Sequence, residues 1–442
     1  MRRRKILIIS YLFPPAGGIA VQRALSFSKY LPELAWEVHV LSAANAAVPV
    51  RDPGLLRHVP ESVELHRAFT PEIPFEARQT IWKWMKGNGK PAAVAVPASP
   101  ASAPRHSEGF AAKIAKRILC PEPEILWVPF ALRKATAIIE KHEIDTVLVT
   151  VPPFSALVVG SKLKRRFPHI QLVSDFRDEW LSFYLKDFDF QTGNHTYRKA
   201  QAIERDAVEQ SDVVLAVTDT SLNEIRKRYP EQPDEKFVCV HNGYDPDVFK
   251  DFTPREHGGS RVIVTHVGTA YKTASPRYYL DALDKLPGEL RCRFETRFVG
   301  RISESERAIL ENRKSEVKML GFMPQDEALR HIEETDYLLL TMTNEISLPG
   351  KLFEYLATAK PILALSPAGS EVDRLIRETK SGACVDPHSE AAIQGMLAAA
   401  ADKRIRCQST RASVRRFERR ALAEKLSDTL LGRTREGHPL SV

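Results

Sequence analysis

The sequence has no Cys-x-x-Cys pair and only five cysteines in 442 residues: Cys120, Cys239, Cys292, Cys384 and Cys407. A scattered, odd-numbered set argues against a disulfide framework and against a metal site. It predicts a reducing, cytoplasmic compartment. Long hydrophobic runs are also missing. No stretch approaches the about 18 consecutive apolar residues of a membrane-spanning helix, so none is expected. The opening "MRRRKILIISYLFPP" imitates a signal peptide, but its apolar run ends in Pro14-Pro15 with no small-residue cleavage site directly after it. It reads instead as a first β-strand. Zinc-finger spacing and aromatic-basic RNA motifs are lacking. The net charge of +8 therefore points to anionic ligands or an anionic surface, with no nucleic-acid partner.

What is present is a repeated α/β rhythm. A chain of this length predicts two domains. Lys5 to Ser10 reads as a buried strand, "PPAGG" as a loop, Val21 to Leu31 as a helix and "WEVHVLSA" as a second strand. That order opens a doubly wound sheet. "DTVLVTVPP", "IQLVSDFRD", "SDVVLAVTD" and "KFVCVHNG" continue it, with helices expected over Phe154 to Arg166 and Tyr197 to Glu209. The rhythm restarts at "RVIVTHVGTAY" and runs through "RCRFETRFVGR", "SEVKMLGFM", "DEALRHIEETDYLLLTM" and "GKLFEYLATAKPILAL". The expected division is 1–252, 253–410 and a basic C-terminal segment 411–442. A Pro/Ala/Ser/Gly-rich stretch at about 87–109 reads as a flexible insert. After it, Phe110, Ile114 and Ile118 share a helical face with lysines and an arginine elsewhere. This is the pattern of an ordinary surface helix or of one lying on an anionic membrane.

Several loops at strand ends carry candidate chemistry. Gly17 and Gly18 sit between a strand and a helix, where glycine admits close backbone approach and a helix start offers N–H groups to anions. They do not match GxGxxG, which argues against a nicotinamide dehydrogenase. In "SDFRDEW", Asp175, Arg177 and Asp178 follow a strand end, where ligands of open α/β sheets bind. They form either a site or a structural ion-pair knot, and Trp180 packs beside a sugar or plugs the core. In the second unit Gly268 lies in a βα turn, with Lys272, Arg277 and Arg301 near strand ends, either as phosphate partners or as solvated rim charges. In "SLPGKLFEYL", Gly350 and the free N–H groups of the helix start suit a diphosphate. Lys351 adds charge, and Glu354, one turn in, suits a ribose diol. Asp187 and Asp189 in "KDFDF" have an acid-x-acid spacing used for metal–nucleotide complexes, but read as a loop feature.

The ordered set "ISYLFPPAGGIAVQRALSFSKYLPELAWEVHVLS", "SDFRDEW", "HNGYDPDVF", "HVGTAY" and "LPGKLFEYLATAKPILAL" resembles the bacterial family-four, group-one retaining glycosyltransferases, over roughly Lys5 to Phe417. The resemblance implies a GT-B fold of two Rossmann-like domains, with the acceptor on the N-terminal and a nucleotide-sugar on the C-terminal domain. It implies transfer with retention, without metal or other cofactor, in polysaccharide or glycoconjugate synthesis. The acceptor would be a saccharide or a polyprenyl-linked one, at a cytoplasmic site with peripheral membrane contact. It places Gly17 and Gly18 near the donor phosphate or acceptor, Glu354 on the ribose, and Lys351 with Ser347, Pro349 and Gly350 by the diphosphate and sugar. Asp175 or Asp178 would orient or deprotonate the acceptor hydroxyl. The final basic helix around "SVRRFERRALAEKL" would cross back to the N-terminal domain. The chain departs from the family pattern at its acid-x7-acid pair. Eight residues before Glu354 stands Ile346, with Glu345 one residue too early, so sugar contacts are expected from the Ser347–Gly350 turn. The competing expectations are a sugar-nucleotide epimerase of the same fold and a non-catalytic nucleotide-binding homologue.

Overall fold

The computed structural model describes residues 4–48, 50–71, 119–184, 195–255, 259 and 261–432. The insert at 87–109, the helix-like pieces flanking it, and Asp187 and Asp189 lie outside the described residues. Two compact units emerge. The described residues through His241 and those from Leu422 onward form the first, and Asn242 to Ala421 the second.

The first unit is a seven-stranded parallel sheet in the order β3-β2-β1-β4-β5-β6-β7. The strands are β1 (Arg4–Ser10), β2 (Trp36–Ala43), β3 (Glu64–Ala68), β4 (Thr146–Val151), β5 (Gln171–Phe176), β6 (Val213–Ala216) and β7 (Phe237–Cys239). β1 is central, paired with β2 and β4. Its residues Ile6 to Ile9 are fully buried because helices cover both faces. The period of two sorts them. Ile6 and Ile8 pack with Ala24, Leu25 and Phe27 of helix Gln22–Tyr30. Leu7 and Ile9 pack with helices Val128–His142 and Ala156–Arg166. The chain direction reverses across the sheet between β1 and β4, the switch point where such sheets open a crevice.

The second unit repeats the plan in a six-stranded parallel sheet, β10-β9-β8-β11-β12-β13. Its strands are β8 (Val262–Val267), β9 (Phe294–Val299), β10 (Glu316–Gly321), β11 (Tyr337–Thr341), β12 (Ile362–Leu365) and β13 (Gly382–Val385). The switch point lies between β8 and β11. Helix Gly350–Thr358 connects β11 to β12 and buries Leu352, Phe353 and Leu356 beneath Leu338, Leu340 and Ile362. Each such side chain contributes about 1.5–3 kcal/mol of burial. Ala359 takes a left-handed conformation after it, and Pro361 prevents continuation.

Residues 242–252, expected with the first domain, belong to the second unit. Tyr244, Phe249 and Phe252 are buried in its core beside Val414 and Phe417. The basic C-terminal segment is not one helix. A short helix Arg411–Val414 and a 3-10 turn Arg415–Phe417 precede helix Arg419–Leu430. Glu418 interrupts them in an extended conformation and bridges to Tyr244. From Leu422 the chain packs on the first unit. Leu422, Leu426 and Leu430 join the Ile6/Ile8 face, and Trp36 Nε1 donates to Ser427 Oγ at 2.9 Å.

Candidate active site

In the second unit, the carboxyl ends of β8 and β11 hold the residues that sequence reasoning singled out. Gly268 follows β8 with φ +116°, so its turn suits glycine. A side chain there would stand in ordinary contact with Lys351, whose Nζ lies 3.4 Å from that position. Gly300, after β9, has φ +127°, and a Cβ there would sit 2.3 Å from Gly268 O. The two glycines therefore let two strand-end turns lie against each other directly above Lys351.

Lys351, the second residue of helix Gly350–Thr358, reaches His266 Nε2 at 3.0 Å. His266 Nδ1 faces Leu339 O at 3.2 Å. A carbonyl only accepts, so Nδ1 carries the ring proton and Nε2 accepts from the ammonium. Lys351 and Glu354 each keep some surface open, yet dense protein surrounds both. Burial lowers Lys351 to about 8, opposed by Glu354. Burial raises the Glu354 carboxyl, opposed by Arg419 and Lys351. Burial, then Lys351, holds His266 neutral, well below the usual imidazole range. Tyr355 ties the helix to the strand end by accepting from Val267 N at 2.8 Å. No side chain caps the helix start at Pro349. The result is a lysine and a helix N-terminus aimed at one turn, an arrangement that attracts anionic oxygen.

The loop after β11 completes this edge. Thr343 N donates to Thr273 O at 3.0 Å, stitching it to the loop after β8. Ser347 N donates to Asn344 Oδ1 at 2.8 Å. Ser347, Pro349 and Gly350 are half-buried, Ile346 likewise, and Glu345 is exposed. The other predicted cations are less gathered. Lys272 and Arg277 are exposed on the loop and helix start after β8. Arg301 is exposed, with its guanidinium over the Phe322 ring at 5.7 Å.

In the first unit the predicted acids divide. Asp175, in β5, is fully buried and held by Arg23, whose Nη2 donates to Oδ1 at 2.7 Å and Nε to Oδ2 at 2.8 Å. It is an internal anchor, so its expected contact with an acceptor hydroxyl does not hold. Arg177 is spent on the backbone, donating to the carbonyls of Val151, Pro152 and Ala20 around the switch point. Asp178 alone is exposed. The protein around it still raises its carboxyl through burial, opposed by Arg177. Trp180 is buried and stacks on Phe154 with centroids 4.4 Å apart, so it plugs the core. Gly17 turns toward Val50 and Asp52, while Gly18, with φ +88°, faces open space.

His266, Tyr355, Arg419 and Arg23 were not singled out from sequence. The signal for His266 is its place two residues before Gly268, at the end of a strand.

Residues 91–248 match the profile described as Glycosyltransferase Family 4, and residues 248–419 that of Glycosyl transferases group 1. No curated protein matches the chain in sequence. Among solved structures, sucrose-phosphate synthase from Thermosynechococcus elongatus is similar at TM-score 0.66 and 14% identity, over 97% of this chain and 99% of that one. WaaG, a glycosyltransferase involved in lipopolysaccharide biosynthesis, is similar at TM-score 0.62 and 15% identity, over 97% and 100%. Anabaena HepE in complex with UDP and glucose is similar at TM-score 0.56 and 16% identity, over 97% and 100%. At these identities the likeness to the solved structures is one of fold: two Rossmann-like domains of the GT-B type.

Proposed function

The chain belongs to the family-four, group-one glycosyltransferases, and from that premise we propose that it moves a sugar from a nucleotide-sugar to a saccharide or lipid-linked acceptor with retention at the anomeric carbon. The observation that carries the donor site is Lys351. Its ammonium stands at a helix N-terminus, fixed by neutral His266 beneath the Gly268 turn. A departing diphosphate there meets a positive charge and backbone donors already in place, and such preorganised electrostatics usually lowers a reaction barrier more than any other single effect. HepE's complex with UDP and glucose makes a uridine nucleotide the first donor to try. Lys272, Arg277 and Arg301 are the exposed cations available to join Lys351 when ligand binds. Glu354 accepts the ribose diol, and the Ser347–Gly350 turn contacts the sugar in place of the missing first acid.

Transfer needs no metal in this reading, because protein cations neutralise the leaving group. Asp178 orients the acceptor hydroxyl and takes its proton as the new bond forms. Polysaccharide or glycoconjugate synthesis at the cytoplasmic membrane face, with a polyprenyl-linked acceptor, is the setting we assign. Among the described residues no helix is long and apolar enough to cross a membrane.

Calorimetric titration of the full chain with UDP, GDP and ADP, with and without a chelator, tests the donor site. One diphosphate should bind tightly and insensitively to chelator. Glu354→Ala should weaken it at least about tenfold, the loss of one or two charge-assisted hydrogen bonds, without changing the melting profile. Unchanged affinity in that variant counts against the site. Asp178→Asn should leave diphosphate affinity intact and lower turnover by about 10²-fold or more, the usual worth of a general base. Turnover of a nucleotide-sugar without acceptor would favour epimerisation instead.

A further inference from the structure

We propose that the first unit holds a structural transition-metal ion, zinc by its donor set, between His39, Glu64, His66 and His142. One nitrogen from each histidine and one Glu64 oxygen all lie within 4.8 Å of one another. His39 Nδ1 is 3.2 Å from His66 Nε2 and 3.7 Å from Glu64 Oε2. Glu64 Oε2 is 3.8 Å from His66 Nε2 and 3.7 Å from His142 Nε2. Four donors placed tetrahedrally at zinc's ~2.0–2.1 Å would stand roughly 3.3–3.4 Å apart. The three edges to Glu64 therefore need contraction by a few tenths of an ångström, the His39–His66 edge is already near that value, and the edges from His142 to the other two nitrogens are within 4.8 Å.

The surroundings suit a ligand set. His39 is fully buried on β2, and its Nε2 donates to Glu37 Oε1 at 3.2 Å. That bond leaves the Nδ1 lone pair turned inward, and a carboxylate behind a ligating imidazole raises its basicity. Glu64 is half-exposed and provides an entry path. Three imidazoles with one carboxylate match zinc better than magnesium or calcium, which prefer all-oxygen shells.

The position indicates the role. His39 and Glu64 are register partners on β2 and edge strand β3. His142 ends helix Val128–His142, shortly before β4 begins. An ion would clamp the edge strand to the strand beside it and to the helix over them, near strand starts rather than at the carboxyl ends where Asp178 stands. It is thus separate from transfer chemistry.

The test uses the full chain, stripped by chelator and titrated with zinc by calorimetry and with cobalt(II) by visible absorption. About one zinc should bind and raise the melting temperature, as any ligand of the native state does. Cobalt should show the intense d–d bands of a four-coordinate site without a thiolate charge-transfer band. His142→Gln and Glu64→Gln should each weaken zinc binding by at least about tenfold while leaving UDP affinity and far-ultraviolet circular dichroism unchanged. A second group, Asp219, Cys239 and His241, offers three donors, so Cys239→Ser should leave binding intact. Substoichiometric zinc, equal affinity in His142→Gln, or a thiolate band lost in Cys239→Ser would overturn the proposal.

Discussion

Lys351 shows how one residue carries both charge and its regulation. Packing against His266 and the Gly268 turn lowers its ammonium to about 8. In the proposed donor site a diphosphate would bind the charged form, so affinity should fall as pH rises through about 8. Binding at pH 8 should take up a proton, visible as a dependence of the calorimetric enthalpy on buffer. Lys351→Met should weaken binding and abolish that dependence. A flat profile between pH 7 and 9 would mean that the ammonium does not face the diphosphate. The helix start that carries Lys351 and Glu354 was legible, because a glycine and a proline stand just before a periodic apolar run. His266 was not, since a histidine among strand residues reads equally as a core side chain. Asp175 was legible as a strand-end acid, but its partner Arg23 lies 152 residues earlier. Only the fold shows that the pair is sealed inside.

Among the elements, the strands were readable except two at sheet edges, β3 and β13. β1 carries the apolar run Ile6–Ile9 and β4 the run Val147–Val149 because both faces are covered. β3 reads "ELHRA" and β13 "GACV", short strands at the edges of their sheets, where composition is freer. The interruption at Glu418 was equally hidden, because "SVRRFERRALAEKL" lacks a glycine or proline to stop a helix. The break is imposed by pairing with Tyr244. Gly300 gives the test at this scale. In Gly300→Ala, the added methyl would meet Gly268 O and take a positive φ, a strain of about 1–3 kcal/mol or more. The variant should melt at lower temperature and bind diphosphate more weakly, because relief requires the Gly268 turn to move off Lys351. Differential scanning fluorimetry and calorimetry read the two effects.

Taken whole, the chain is two parallel-sheet units that share one C-terminal segment. Leu422, Leu426 and Leu430 complete the first unit's core although they are last in sequence. Truncation after Ala421 would uncover Trp36, Val38 and their neighbours. It removes three buried leucines, each worth about 2–5 kcal/mol by Leu→Ala precedent. The truncated protein should lose the melting transition of the first unit or fail to remain soluble. Retention of the full melting profile would show that the segment is not part of that core. The sequence by itself determined the α/β class, the two units, the family and the helix start bearing Lys351 and Glu354, because these follow from local periodicity and from motifs a few residues long. Tertiary structure alone decided that Asp175 is an anchor and Asp178 exposed, that 242–252 joins the second core, and that His39, Glu64, His66 and His142 converge. Those outcomes depend on which distant side chains strand order brings within a few ångströms, and no local pattern encodes that distance.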